Sequence, residues 1–321
     1  GLSDGKRFIE KVRKVTPKKP VIVLKPGKTE VTAKAIASHS GALCGSDEVY
    51  EEGFKKAGAI RVETTEELLD VAIGFLTQPL PRGRNIAIIT PGGSYGVLCA
   101  DYCSSGGLDV ITLSKKTIDE LDRIFPPRWS HGNPVDPAGD RNFAAYLDAP
   151  EMLLKLDEVD ALIFMGFGGF SSLLRSMGPT AQSSISKERL RLEERFKSGD
   201  IRSILSLVSP IFTAGEDKWR RRFEELFIPV IEFGELDISP EKINLADLNE
   251  VYHILDLLLG GLFLHWIKTY RKPVVTTTFT EMGSFLNLKG GFYYSYPSPQ
   301  RAARVLIKLA EYKEYLEGIK V

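Results

Sequence analysis

The chain has 321 residues, enough for two domains of ordinary size, and its 43% hydrophobic and 26% charged residues are the proportions of a soluble globular protein. Its 42 basic residues balance 42 acidic ones, which excludes a global field favouring nucleic acid or an anionic membrane surface. Three cysteines (Cys44, Cys99, Cys103) lack a metal-ligand spacing, and an odd number argues against a disulfide framework, so no metal site and a reducing cytoplasm are expected.

In chain order, residues 4–15 read as an amphipathic helix with Phe8, Ile9, Val12 and Val15 inward. The run Pro20-Val21-Ile22-Val23-Leu24-Lys25 reads as a strand, followed by a glycine- and serine-rich loop and a helix over 47–57. A short strand at 59–62 and a helix at 65–76 follow, the latter announced by the capping signal Thr64/Thr65-Glu66-Glu67. Gln78-Pro79-Leu80-Pro81-Arg82-Gly83-Arg84 reads as a linker. Two strands and three helices cannot cover both faces of a parallel sheet. The first segment is therefore expected to be incomplete at its N-terminus, completed by a preceding segment or a partner chain. Gly1 in place of Met agrees with a processed product or a fragment.

A second unit starts with the apolar run Asn85-Ile86-Ala87-Ile88-Ile89-Thr90, of buried-strand type. Pro91-Gly92-Gly93-Ser94-Tyr95-Gly96 and a helix through Cys103 follow, an order that makes either an anion-binding helix end or simply a tight strand-to-helix turn. Strand 109–113, helix 115–125, the turn 131–137, helix 150–156 and strand 161–167 continue the alternation that predicts a doubly wound parallel sheet. Residues from 168 to about 270 read as a helical insertion: a charged helix at 187–197, a short strand near Phe227 to Phe233, and an apolar helix over 247–268. The run Ile254 to Leu264 within that last helix contains Asp256 and is too short to span a bilayer, so it is expected to cover the sheet or meet a subunit. Strand 273–279, strand 292–296 and a helix from Pro299 to about Tyr315 close the chain, and no leader pattern opens it.

The stretch with the most chemistry is Ala37-Ser38-His39-Ser40-Gly41-Ala42-Leu43-Cys44-Gly45-Ser46-Asp47-Glu48. Gly41 and Gly45 let backbone N–H groups approach a ligand, and the loop opens into a helix N-terminus, where an anion is stabilised. An imidazole with an unperturbed pKa of about 6.5 is largely neutral and nucleophilic near pH 7. His39 so placed can accept a phosphoryl group, while a lone histidine in such a loop is more commonly a surface residue or a hydrogen-bonded anchor; both readings stand on the residues alone. His131, His253 and His265 read as structural, and Cys44 as a packing residue beside the helix start.

The motifs Lys19 to Glu30, Ala37 to Ser46, Gln78 to Gly83, Ile88 to Leu98 and Asn133-Pro134-Val135-Asp136, in this order, resemble the nucleoside-diphosphate-forming acyl-CoA synthetases, which include the ADP-forming acetyl-CoA synthetases and are relatives of succinyl-CoA synthetase. The resemblance covers residues 1 to about 167 and resumes more weakly over 272–316. It implies flavodoxin-like (succinyl-CoA synthetase-like) parallel sheets flanked by helices. Residues 1–80 would be the C-terminal half of a domain carrying the phosphohistidine loop, and 84–321 a second such domain with the 168–270 insertion. It implies that acid, CoA and ATP interconvert with acyl-CoA, ADP and phosphate, the phosphoryl group passing through His39. Ser38, Ser40, Gly41 and Gly45, together with Gly92, Gly93, Ser94 and Gly96, would cradle it. CoA and ATP/ADP with Mg2+ would be bound by a CoA-binding Rossmann domain and an ATP-grasp domain or subunit, in an oligomer without which this chain is inactive. Departing from the family's Asn-Ala-Gly-Gly-Pro-Gly style, the second loop carries Pro91, Ser94 and Tyr95. The rival readings are a non-catalytic regulatory or scaffolding subunit of the same fold, and a flavin-binding flavodoxin-like protein, which would be yellow.

Overall fold

A computed structural model describes residues 4–25, 32, 47–139, 143–168, 217–232, 248–278, 283–288 and 291–319. The loop residues Ser38, His39, Ser40, Gly41, Cys44 and Gly45, and the expected helix at 187–197, lie outside the described residues. The chain divides into two compact units, Gly1–Leu76 with Ile307–Val321, and Thr77–Leu306.

In the first unit, α1 (Gly5–Val15) is capped by Asp4, whose side chain accepts from Arg7 N. Its face at Phe8, Ile9 and Val12 packs against Phe54 of α2 (Asp47–Ala57), with the Phe8 and Phe54 rings edge to face at 6.0 Å. Strands β1 (Val21–Leu24) and β2 (Ala59–Val62) pair in parallel, Val21 opposite Ala59. α3 (Thr65–Thr77) starts as its capping signal predicts: Thr64 Oγ1 accepts from Glu67 N, and the Glu67 carboxylate accepts from Glu63 N. The last residues of the C-terminal helix belong to this unit as well. Tyr312 donates to Thr16 O at 2.6 Å, and the Tyr315 hydroxyl meets Thr16 Oγ1 at 2.8 Å. This long-range tie is absent from any local pattern, which is why the sequence places the terminal helix wholly in the second unit.

The second unit is built on a six-stranded sheet: β3 (Asn85–Ile89), β4 (Asp109–Val110), β5 (Ala161–Gly168), β6 (Val274–Thr278), β7 (Ser284–Leu288) and β8 (Gly291–Tyr296), in the order β4-β3-β5-β6-β8-β7. All neighbours are parallel except the edge hairpin β7–β8. The Ile/Val/Ala runs of β3, β5 and β6 are buried because helices cover both faces. The described helices after the first unit's α3 are α4 (Gly93–Ser105), α5 (Lys115–Leu121), α6 (Phe143–Leu154), α7 (Asp217–Glu232), α8 (Leu248–Tyr270) and α9 (Pro299–Gly318), of which α4, α6 and α8 pack on the strands.

Several boundaries differ from the expectation. The segment near Phe227 to Phe233 lies in helix α7 rather than in a strand, despite Pro229: Leu226, Phe227 and Val230 bury at helical spacing in the main core. α6 runs through Pro150 instead of starting there. β4 stops at Val110, and β7 is an additional, one-sided edge strand. α8 covers the sheet. Its rows Ile254, Leu258, Leu262, Trp266 and Leu255, Leu259, Phe263 are buried, and a Cβ on Gly260 would lie 2.7 Å from Leu286 Cδ1 of β7. No helix among the described residues is long and apolar enough to cross a membrane.

Candidate active-site crevice

From β3 the chain steps out to β4 on one side and returns to β5 on the other, so the winding reverses between β3 and β5. In open α/β sheets a crevice forms at such a switch point, outside the carboxyl ends of the strands. Here that position holds the loop 90–92 and the start of α4.

The loop is held by its own first residue. Buried Thr90 donates through Oγ1 to Gly92 O at 2.9 Å, and Gly92 N donates back to that oxygen at 3.3 Å. Gly92 is the N-cap of α4, in extended conformation, with no side-chain cap; the first intrahelical bond runs from Gly96 N to Gly92 O. The N–H groups of Gly93, Ser94 and Tyr95 have no acceptor among the described residues. Three parallel donors and the positive end of the helix dipole therefore face the crevice. Gly96 is needed for a different reason than ligand approach. A Cβ there would lie 2.6 Å from Thr90 Cγ2 and 3.1 Å from Pro134 Cβ, so its absence seats the first turn against the strand end.

The Asn133-Pro134-Val135-Asp136 turn is the brace behind this helix start. Asn133 Nδ2 donates to Ile86 O and Ile111 O, and its Oδ1 accepts from Ile88 N, all at 2.9 Å. Val135 extends the pairing, its N donating to Ile88 O and its O accepting from Thr90 N. Asp136 Oδ1 accepts from Ala138 N at 2.8 Å. The other carboxylate oxygen, Oδ2, lies 3.1 Å from where a Gly93 Cβ would stand.

The opposite wall comes from β5 and β6. β5 changes register between Phe164 and Gly168, and Gly166, at φ +81°, sits in that irregularity and donates to Thr277 Oγ1 at 3.2 Å. Together the loop 91–95, Met165, Gly166, Thr277 and Thr278 enclose a cavity of about 390 Å³. Of the expected cradle, Gly92, Gly93 and Ser94 line this cavity, whereas Gly96 packs behind it. Met165, Gly166, Thr277 and Thr278 were not expected; strand-end residues so distant in sequence leave only the switch-point rule as a clue.

Of the remaining candidates, His131, His265 and the cysteines of α4 have neighbours in the fold, whereas His253 of α8 is exposed rather than in the core. His131 Nδ1 lies 3.0 Å from Asp122, its Nε2 is 3.0 Å from Pro127 O, and its ring packs on Trp129. His265 lies 3.5 Å from Thr269 Oγ1 on α8. Cys99 and Cys103, one turn apart on α4, are fully buried, and the neighbouring Cys103 thiol together with burial pushes the Cys99 pKa well up.

In the first unit, Arg61 of β2 fixes the start of α2, the helix into which the His39 loop leads. Its Nη2 donates to Asp47 Oδ1 at 2.6 Å and its Nη1 to Glu51 Oε2 at 2.9 Å, from a side chain only 5% exposed. The hydrogen bond to Asp47 raises the guanidinium pKa further.

Comparison with known proteins agrees with this architecture. Residues 1–75 match the succinyl-CoA ligase like flavodoxin domain, and residues 86–174 match the Ligase-CoA domain. The chain is 45% identical over 163 residues to the alpha subunit of acetate–CoA ligase (ADP-forming) II of Pyrococcus furiosus, a match covering 51% of this chain and 35% of that subunit. It is 39% identical over 169 residues to the 4-hydroxybutyrate–CoA ligase (ADP-forming) of Nitrosopumilus maritimus, covering 51% of this chain and 24% of that enzyme. The chain thus spans well under half the length of these relatives. A solved structure, the dinucleotide forming acetyl-coenzyme A synthetase 1 of Ca. Korarchaeum cryptofilum in complex with phosphate and ADP, superposes with a TM-score of 0.57. That superposition takes in 100% of this chain and 53% of that one at 20% identity, a likeness of fold. Residues 1–75 thus carry the succinyl-CoA ligase like flavodoxin domain and residues 86–174 the Ligase-CoA domain, in a chain similar over these residues to ADP-forming acid–CoA ligases.

Proposed function

We propose that this chain is the phosphohistidine-bearing part of an ADP-forming acyl-CoA synthetase, with His39 as the covalent phosphoryl carrier. The observation that supports it most is the pairing, in one chain, of the two matched domains with the open N-terminus of α4 at the sheet's switch point. In the direction of ATP formation, phosphate displaces CoA from acyl-CoA, giving acyl phosphate and free thiol. The neutral imidazole of His39 then attacks phosphorus, and the P–O bond to the acid breaks, releasing carboxylate. ADP takes the phosphoryl group in turn and regenerates the imidazole. Each step moves a phosphoryl group carrying two negative charges, and N–H donors fixed in place before it arrives stabilise it without reorganisation.

Gly92, Gly93 and Ser94 are the part of the proposed cradle that lines the crevice, and Gly96 seats the helix that carries it. Ser38, Ser40, Gly41 and Gly45 complete the cradle in this proposal. CoA, nucleotide and Mg2+ are assigned to a CoA-binding Rossmann domain and an ATP-grasp domain, on the same or a partner chain, in an oligomer. The test is ADP formation by the assembled complex in the presence of acid, CoA and ATP. The wild type is expected to form ADP and acyl-CoA in equal amounts, and His39→Ala to form neither while retaining its circular dichroism. Unchanged turnover in His39→Ala overturns the assignment.

A further inference from the structure

The first unit holds a charge where its packing asks for none. β2 is buried along its whole length, and within Ala59-Ile60-Arg61-Val62 only Arg61 is charged, at 7% exposure. An ion pair taken out of water is a weak source of stability, because apolar side chains of similar volume often do as well. What a guanidinium adds is direction: its donors lie in one plane and fix the groups that accept from them.

Its partners say what is fixed. Nη2 donates to Asp47 Oδ1 at 2.6 Å and reaches Lys25 O more weakly at 3.5 Å, while Nη1 donates to Glu51 Oε2 at 2.9 Å. Asp47 and Glu51 stand one turn apart on α2, so the plane of the fork sets both the rotation of that helix and its position along its axis. Lys25 follows the last residue of β1, and its Nζ stands 4.0 Å from the centre of the Tyr50 ring on α2, a second tie between the same two elements. Lys25 and Asp47 bracket residues 26–46, the stretch that contains His39. One buried side chain therefore holds the residue before that stretch and the residue after it. The remaining donor, Nε, is buried with no acceptor among the described residues, a cost to stability that the brace carries.

We propose that Arg61 is a positioning residue for phosphoryl transfer at His39, acting through Asp47 and Lys25 to fix the two ends of the stretch that carries the imidazole. This role rests on the reading of His39 as the carrier. In transfer from ATP, a neutral ring nitrogen of His39 attacks the γ-phosphorus. The P–N bond forms as the P–O bond to the β-phosphate breaks, ADP leaves with the electron pair, and the proton on the other ring nitrogen stays in place. Arg61 takes no part in these bond changes. Alignment of the nucleophile governs such a step, and a misplacement of about 1 Å can cost about 100-fold in rate. Loss of the brace therefore acts on the rate of transfer and not on the affinity for nucleotide.

The test is single-turnover labelling of the assembled complex from γ-labelled ATP with Mg2+, read as a maximal rate and a half-saturating ATP concentration. Arg61→Lys keeps the charge but not the fork, and Asp47→Asn keeps the shape but removes the charge at one end of the stretch. Val12→Ala is the structural control: it removes two methyl groups from the small core that α1 and α2 share, and touches neither end of the stretch. Arg61→Lys and Asp47→Asn are expected to lower the maximal rate at least about tenfold, with half-saturating ATP within about twofold of wild type. Val12→Ala is expected to unfold at lower urea yet label within about twofold of the wild-type rate. Asp47→Asn, a change at a partly exposed carboxylate, decides the question where Arg61→Lys does not fold. A wild-type maximal rate in folded Arg61→Lys or Asp47→Asn, or a Val12→Ala as slow as these two, overturns the proposal. The wild type reports on the carrier separately. Label on His39 with wild-type rates in both variants removes the role of Arg61 alone, whereas a wild type that takes no label on His39 removes the carrier reading and this role with it.

Discussion

Asn133 Oδ1 lies 2.9 Å from Ile88 N, so a side-chain amide stands where a neighbouring strand would put a backbone carbonyl. The same amide donates to Ile86 O and Ile111 O, closing the gap left where β4 stops at Val110. Asn133→Ala strips partners from three backbone groups beside the core strand, each costing about 1–3 kcal/mol when left buried and unpaired. Partial access of water at the turn reduces the sum, and a loss of about 2–4 kcal/mol in urea unfolding is expected. Asn133→Asp is expected to fail similarly, because a carboxylate cannot donate to the two carbonyls.

Gly96 and Gly92 are separated by one helical turn and should respond oppositely. Gly96→Ala drives a methyl to within 2.6 Å of Thr90 Cγ2 and should cost about 1–3 kcal/mol through overpacking. Gly92→Ser meets open space in extended backbone and can cap the helix, so stability should be unchanged or rise by a few tenths of a kcal/mol. Denaturant midpoints of the two variants check this directly.

Much of this unit could be read before folding. The runs of β3, β5 and β6 are apolar because both faces are covered, and α8 repeats its buried apolar rows from Ile254 to Trp266, about three and a half turns, so both types are visible in a single window. The segment near Phe227 to Phe233 misleads because Ile228, Val230 and Ile231 are β-branched and Pro229 disfavours a helix interior, while burial at 226, 227 and 230 rewards a helix. β7 hides because an edge strand buries only Leu286 and Leu288 and sits among glycine and asparagine. In the crevice, the glycine loop was legible as a helix start, but its partners Met165 and Thr277 reach it only through sheet order. The His39 loop, legible as a motif, lies outside the described residues.

α6, α7 and α8 are joined by an ion network whose response to pH follows from its centre. Burial alone would raise the Glu151 carboxyl, but Lys155, Arg222 and the Tyr270 hydroxyl together hold it below the usual carboxylate range. Because its folded value is depressed, its stabilising contribution is present above the unfolded value, near pH 4.5, and disappears as pH falls through the folded value. Urea midpoints should therefore fall on acidification below about pH 5, and Glu151→Gln should flatten that fall while lowering stability at pH 7.

Arg61 anchors α2 with a planar fork that lysine cannot reproduce. Arg61→Lys retains the charge but can satisfy only one carboxylate at a time, and should cost about 1–2 kcal/mol, a charge-assisted hydrogen bond's worth. Arg61→Met should cost more, about 2–3 kcal/mol, because it removes both charge-assisted hydrogen bonds while the partly exposed carboxylates of Asp47 and Glu51 regain water. Amide exchange in the first turn of α2 should quicken in both variants, in that order.

The most direct measurement of the central claim is phosphorylation of the assembled, CoA-binding complex with acyl-CoA and labelled inorganic phosphate. The account predicts a label on this chain that is acid-labile and base-stable, maps to His39, and is absent from His39→Ala. A complex that binds CoA and takes up no label, or a label that persists in His39→Ala, would contradict it.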